Sequence, residues 1–313
     1  MGMDLTLPRD GYGLIRRDDA LAAGFTDDLL RALVRSGDLH HLGYGAYCVV
    51  DDLPTPGPER DDALYRLRSL GAATYRDAEV VLSYQSAAAV HGLPCLNADQ
   101  TLIHTTVANG GGVRAQRHAH RGPLDDGQIV VVDGVRVTSL VRTAVEVSCS
   151  TDFVGALTVF DGALARGASR EELAAELHSR RRVGSTMVDR ALRHADPLAG
   201  SVGESWCRAQ LIDGGLPLPR LQVRYALPDR RDAFVDFDWD RRLVLEFDGF
   251  VKYGRLLRPG DTAGDAVLRE KVRQDRIEAQ GPKLIRVIWR DLVSGRVPAL
   301  VRYWLRHVGL LAA

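Results

Sequence analysis

Between residues 234 and 249 the chain reads FVDFDWDRRLVLEFDG, two runs of alternating apolar and polar residues around a short polar stretch. Alternation sends successive side chains to opposite faces of a strand. It predicts strands over 234–239 and 243–247, joined by a turn at 240–242. Val235, Phe237, Trp239, Leu243, Leu245 and Phe247 then share one apolar face. Asp236, Asp238, Glu246 and Asp248 share the other, and pairing about the turn brings Asp236 across the ladder from Glu246.

Elsewhere the pattern moves between helical and strand periods. In residues 1–50, Asp18 is placed to cap a short helix ended by Gly24, and Thr26 to cap a second helix running to Ser36 before Gly37. Leu29, Leu30 and Leu33 form an apolar stripe on that second helix, with Val34 beside them. Two short strands, 39–42 and 46–50, flank Gly43-Tyr44-Gly45. Helix, turn, helix and hairpin in this order predict an N-terminal winged helix-turn-helix. DDLPTPG at 51–57 has the composition of a linker.

Residues 58–198 read as a mixed α/β connecting domain. Helices are expected over 62–72, 79–91 and 140–149, strands over 101–106 and 128–137, and a glycine turn at 109–112. Helical segments continue from 153, one opened by Ser169 with Glu172 as a capping box. From 201 to 313 the order is helix (202–213), strand (222–227), the two acid-bearing strands, a long loop, helix (264–280), strand (284–288) and terminal helices. The expected fold class is therefore a multidomain α/β chain.

At 313 residues the chain exceeds one ordinary core. Its 45% hydrophobic and 26% charged residues are those of a globular protein. No apolar run approaches a bilayer span and the N-terminus lacks a signal-peptide profile, so no membrane association is expected. Cys48, Cys95, Cys149 and Cys207 are scattered, without a Cys-x-x-Cys pair, and read as reduced thiols of a cytoplasmic protein. Net charge is zero, but from residue 201 onward 20 Lys and Arg face 15 Asp and Glu, a balance of +5. A basic region that also holds an acidic cluster suits a domain meeting a polyanion through a metal.

Like charges opposed on a sheet repel. Four acids with no Lys or Arg on their face therefore ask for a cation, and a divalent ion held by carboxylates serves phosphoryl chemistry. The same pattern also describes a solvated acidic face on an antiparallel hairpin. His91, His104, His118 and His120 have no zinc-finger or helical spacing and are expected to be surface or hydrogen-bonded residues. Arg142, near a helix start, reads as a buried structural residue. No Ser/His/Asp constellation and no phosphate loop is present.

The stretch GLIRRDDALAAGFTDDLLRALVRSGDLHHLGYGAY resembles the N-terminal domain of abortive-infection, type IV antitoxin-like proteins. The resemblance implies a second helix that enters the major groove, with Arg31, Arg35 and His40 as the side chains to meet DNA. It also implies a toxin partner or self-association. Asp27 and Asp28, at the start of that helix, would repel phosphate, so a protein-docking role stays open. LSYQSAAAVHGL, VRVTSLVRTAVEV and VGALTVFDGALARG resemble the connecting segment of actinobacterial proteins that join such a domain to a nuclease-like one.

Over about 201–292, GESWCRAQL, VDFDWDRRLVLEFDG and LREKVRQDRIEAQGPKLIRVIWRDL resemble the small domain related to very-short-patch repair endonucleases. This implies a restriction-endonuclease-like α/β core with a mixed sheet and metal-dependent hydrolysis of DNA. Glu204 matches the acid of the leading helix, Asp236 that of the central strand and Glu246 that of the next strand. Asp248 stands where the wider superfamily carries its catalytic Lys, and Lys252, four residues on, is the candidate to offset phosphate charge. Asp236, Glu246 and Asp248 are the implied ligands of Mg²⁺, with Mn²⁺ able to substitute. Arg273 and Arg276 match the basic element of the following helix, with Asp275 placed to pair with Arg273 or with the metal shell. The alternative is a non-catalytic, antitoxin-like DNA-binding regulator that keeps the nuclease fold. A partner-binding protein without a DNA function is the third reading.

Overall fold

The computed structural model describes residues 6–75, 80–227, 232–249 and 262–312, less the side chains of Ala263 and Ala266. The chain forms two compact units, Met1–Ser150 with Glu171–Arg181, and Thr151–Arg170 with Arg182–Ala313. Among the described residues no helix is long and apolar enough to cross a membrane.

The first unit opens with β1 (Ile15–Arg16), α1 (Arg17–Ala22), α2 (Asp27–Ser36), β2 (Leu39–Gly43) and β3 (Ala46–Val49). Thr26 caps α2 as expected, its hydroxyl accepting the Leu29 N–H at 3.2 Å, and Gly37 ends it in the left-handed conformation. Asp18 is not the cap of α1; it lies in the first turn, after Arg16. On α2 only Leu30 is fully buried, and Leu29 points outward at 39% exposure. β1, β3 and β2 make a small antiparallel sheet. Leu14, Leu42 and Ala46 share a core with Tyr65 and Leu70 of α3 (Pro58–Ala73), so the N-terminal segment is welded to the helix after it.

Next come β4 (Val81–Leu82), α4 (Tyr84–His91), β5 (Ile103–Val107), β6 (Gly112–Arg114), β7 (Arg117–Arg121), β8 (Ile129–Val132), β9 (Val135–Thr138) and α5 (Leu140–Ser148). They build a six-stranded sheet in the order β6-β7-β5-β4-β9-β8. The helix expected over 79–91 is shorter. Val81 and Leu82 are buried between β5 and β9, where strand pairing overrides helical spacing, and α4 starts at Tyr84. The single strand expected at 128–137 is a hairpin, because Asp133 and Gly134 both take positive φ (48° and 73°), the geometry that closes a two-residue turn. The glycine turn at 109–112 leads into β6, which pairs with β7.

Three helices come after the sheet: α6 (Phe153–Ala165), α7 (Arg170–His178) and α8 (Ser185–His194). Residues Glu171–Arg181 belong to the first unit, whereas α6 and α8 fold with the C-terminal elements. In the first unit Arg142 of α5 is buried against Glu146 at 2.5 Å and Glu176 at 3.7 Å, the structural role expected of it.

The second unit continues with α9 (Val202–Asp213), β10 (Arg220–Ala226), β11 (Asp232–Trp239), β12 (Leu243–Asp248), α10 (Ala263–Glu278), β13 (Lys283–Ile288), α11 (Trp289–Val293) and α12 (Val297–His307). Its sheet runs β10-β11-β12-β13, antiparallel except for the last pair, which α10 makes parallel by crossing over. One face, with Phe237, Trp239, Leu243, Leu245 and Phe247, packs on Cys207 and Leu211 of α9 and Leu305 of α12. The other, with Tyr225, Val235 and Val244, packs on Ile277 of α10. The four cysteines are free thiols, and burial raises the pKa of Cys48 to about 11.

Candidate functional site

Val235 and Phe237 are two residues apart on β11, yet they lie in different cores. Between them is Asp236, the one position where the β10–β11 ladder, regular on both sides, has no paired partner. The residue facing that gap, Gln222, holds φ at +49°, a left-handed conformation in mid-strand. Each strand switches its inward face at this point, so Val235 leaves the apolar face on which simple alternation places it. A non-glycine residue held this way is costly and concentrates at functional sites.

The Gln222 amide donates to Oε2 of Glu204 at 3.2 Å and to Oδ1 of Asp236 at 3.4 Å. Asp236 Oδ2 accepts the backbone N–H of Phe247 at 2.8 Å, which ties the carboxylate to β12. Glu204, 8% exposed, accepts from Gly200 N–H and from the Ser201 hydroxyl, both at 2.9 Å. Ser201 in turn caps α9 through the Glu204 N–H, so Glu204 also serves the helix start. These two acids, brought from α9 and β11 to a single amide, are what the fold assembles from the expected set. Buried Cys207 lies close enough that Asp236 and Glu204 reinforce the rise in its thiol pKa that burial begins.

Glu246 and Asp238 have other company. Alternation alone left their face without a Lys or Arg, but tertiary contacts supply the cations. Glu246 is paired with Arg273 of α10 at 2.8 Å and with Arg286 of β13 at 3.7 Å. Arg273 also reaches Glu270 at 3.1 Å and the Phe234 carbonyl at 2.8 Å. Burial opposes the Arg273 charge, yet Glu246 and Glu270 lift its pKa above the ordinary value. Arg273 is thus spent inside the unit, with Glu246 and Glu270 rather than Asp275 as partners. Asp238, fully buried, accepts from Tyr225 Oη at 2.6 Å and from Arg220 at 3.1 Å. This face is a second core under α10, neither a wet surface nor an open acidic one.

Asp248 ends β12, half-buried, in register with Ile288. Lys252 lies outside the described residues. Arg276 is half-buried near the end of α10. Among the described residues, the group of three that brings ligand atoms within 4.8 Å of one another is His104, His118 and His120, and no carboxylate trio does so. Gln222 was missed because a Gln within an alternating strand carries no sequence signal. The histidine trio was missed because two strands 14 residues apart had to be paired to form it.

In the first unit Arg31 and Arg35 of α2 are both exposed. Arg31 pairs with Asp28 at 2.6 Å, and Asp27 is held bidentately by Arg17 at 2.6 and 2.8 Å. The helix start is therefore less anionic than the sequence suggests. His40 on β2 is half-buried, and burial together with Arg60 lowers its pKa, leaving little positive charge to offer a phosphate.

These pairings give a first measurable consequence. Glu246→Ala leaves Arg273 and Arg286 without their shared carboxylate and is expected to lower stability by about 1.5–3 kcal/mol in urea unfolding. Unchanged or increased stability would mean that carboxylate repulsion outweighs the ion pairs.

No family model matches the chain. It is 28% identical over 283 residues to uncharacterized proteins from two strains of Mycobacterium tuberculosis, a match that covers 88% of this chain and 96% of each relative. The likeness therefore extends over both units, and the relatives' names carry no activity.

Proposed function

We propose that the C-terminal unit is a restriction-endonuclease-like core that hydrolyses phosphodiester bonds of DNA. The N-terminal helices and hairpin would act as a winged helix that docks on the nucleic acid. The observation that carries this reading is the convergence of Glu204 and Asp236 on Gln222, at a break in the ladder where strained backbone is held in place. Helix, antiparallel meander, crossover helix and parallel strand, in this order, support it as well.

Two acceptor-only groups beside a neutral amide fit a hard cation that takes one or two carboxylates and fills its remaining positions with water and substrate phosphate, as Mg²⁺ does. Mn²⁺ would substitute. Bound there, the ion would polarise a phosphoryl oxygen and acidify water. Glu204 and Asp236 would hold it, and the Phe247 N–H keeps Asp236 oriented. Glu246 would not be a ligand while Arg273 and Arg286 hold it.

That last point favours a second reading, in which the fold is kept for contacts and the chain is a DNA-binding, antitoxin-like regulator. One set of measurements separates the two. Wild-type protein with Mg²⁺ or Mn²⁺ is expected to cleave single- or double-stranded DNA and to gain thermal stability from the ion by mass action. Asp236→Asn and Glu204→Gln are expected to lower cleavage by about 100-fold or more and to blunt the metal-induced shift. Absence of both effects in the wild type would sink the nuclease reading. DNA binding that persists, and that weakens with a flatter salt dependence in Arg35→Ala, would then establish the regulator.

A further inference from the structure

β5 and β7 are parallel neighbours in the six-stranded sheet, with His104 opposite His118 and Thr106 opposite His120. Paired residues share a face, as do residues two apart on a strand. The register therefore puts three imidazoles on one side of two adjacent strands. Ring centroids lie 3.8 Å apart for His118 and His120, 5.1 Å for His104 and His120, and 5.6 Å for His104 and His118. Tyr84, at the start of α4, stacks on His120 at 3.8 Å and closes one side of the cluster.

Nδ1 of His104 and Nε2 of His120 are 2.8 Å apart, so one ring donates and the other accepts. That bond accounts for one nitrogen of each ring. His104 is only 8% exposed, and its buried Nε2 has no hydrogen-bond partner. A buried imidazole nitrogen left this way is costly in either tautomer. Burial, reinforced by His118, lowers the His104 pKa to about 4. Burial, His118 and His104 together lower that of His120 to about 3.

We propose that His104, His118 and His120 form a binding site for a divalent transition-metal ion, with Zn²⁺ as its first candidate. One nitrogen from each ring belongs to a set whose members all lie within 4.8 Å of one another. Tetrahedral zinc with bonds of about 2.0–2.1 Å needs its nitrogens about 3.3 Å apart, an adjustment within the reach of side-chain rotation. Three imidazoles without carboxylate or thiolate select zinc, cobalt, nickel or copper over magnesium and calcium. They also leave a fourth position for water, the donor arrangement of an open zinc site. This site lies in the first unit and is chemically distinct from the carboxylate pair in the second, so it stands or falls independently of the nuclease reading.

The test uses the full chain, stripped with a chelator and titrated with Zn²⁺ or Co²⁺ alone. One ion is expected to bind per chain, Co²⁺ with the intense visible absorption of tetrahedral nitrogen ligation, and Zn²⁺ is expected to raise the melting temperature. His118→Ala and His120→Ala, on the more accessible strand, are expected to keep the wild-type circular dichroism while losing about 100-fold in affinity and the thermal shift. Asp236→Asn, which alters only the carboxylate pair of the second unit, is expected to keep the wild-type affinity for the first Zn²⁺ or Co²⁺ bound and its visible spectrum. Failure of the stripped wild type to bind either ion would overturn the proposal. Binding that survives in His118→Ala and His120→Ala, or that is lost in Asp236→Asn, would do so too.

Discussion

Asp161→Ala is expected to cost the second unit about 3–5 kcal/mol, the range for breaking a buried ion pair by removing one partner. Asp161 of α6 is 1% exposed and accepts from Arg208 Nη1 at 3.0 and 3.1 Å, from Ser205 Oγ at 2.7 Å and from the Asp196 N–H at 2.7 Å. Both Arg208 and Ser205 are on α9, the helix that carries Glu204. The mutation strands a buried guanidinium and frees α9 from α6, so urea unfolding should show a lower midpoint and any Glu204-dependent activity should fall with it. Adding Arg208→Met to remove the stranded charge is expected to recover part of the loss. A loss below about 1 kcal/mol, the size of an exposed pair, would mean that the pair is effectively solvated.

Gly203→Ala should act on the same helix from its other side. A Cβ at Gly203 would stand 2.1 Å from Cε1 and 2.3 Å from Cζ of Phe247, so α9 rests directly on the ring next to the acid-bearing end of β12. Overpacking of this kind typically costs about 1–3 kcal/mol. The functional effect is expected to be larger, because α9 must back away from the sheet and carry Glu204 from Gln222 and Asp236. Phe247→Leu in the Gly203→Ala background should relieve the clash, and the two changes should couple rather than add. Full stability and full metal response in Gly203→Ala alone would show that Phe247 swings aside without moving α9.

Much of the second unit was legible from local pattern. Alternation placed the strands at Phe234–Trp239 and Leu243–Phe247, and the helix at Val202–Asp213 agrees with its observed bounds. Thr26 and Gly37 marked the limits of α2 because a cap and a left-handed stop act within a few residues. The failures have a common cause. The helix expected from residue 79 gave way to β4, whose two residues are strand only because β5 and β9 flank them. The uniform acidic face failed because alternation assumes an unbroken ladder, and the ladder breaks at Gln222 and Asp236.

By itself, then, the sequence determined which residues are acids, where capped helices such as α2 and α9 and the alternating strands of the second unit lie, and that a mixed α/β chain results, since these depend on periods and caps a few residues long. Only the tertiary structure decided what each acid does. Arg220, Arg273 and Arg286 come from other elements to neutralise Asp238 and Glu246, while Gln222 joins Glu204 to Asp236. Likewise His104 meets His118 and His120 only through strand register. A carboxylate or imidazole takes its charge state and its role from neighbours within a few ångströms, and those neighbours are set by packing between segments far apart in the chain.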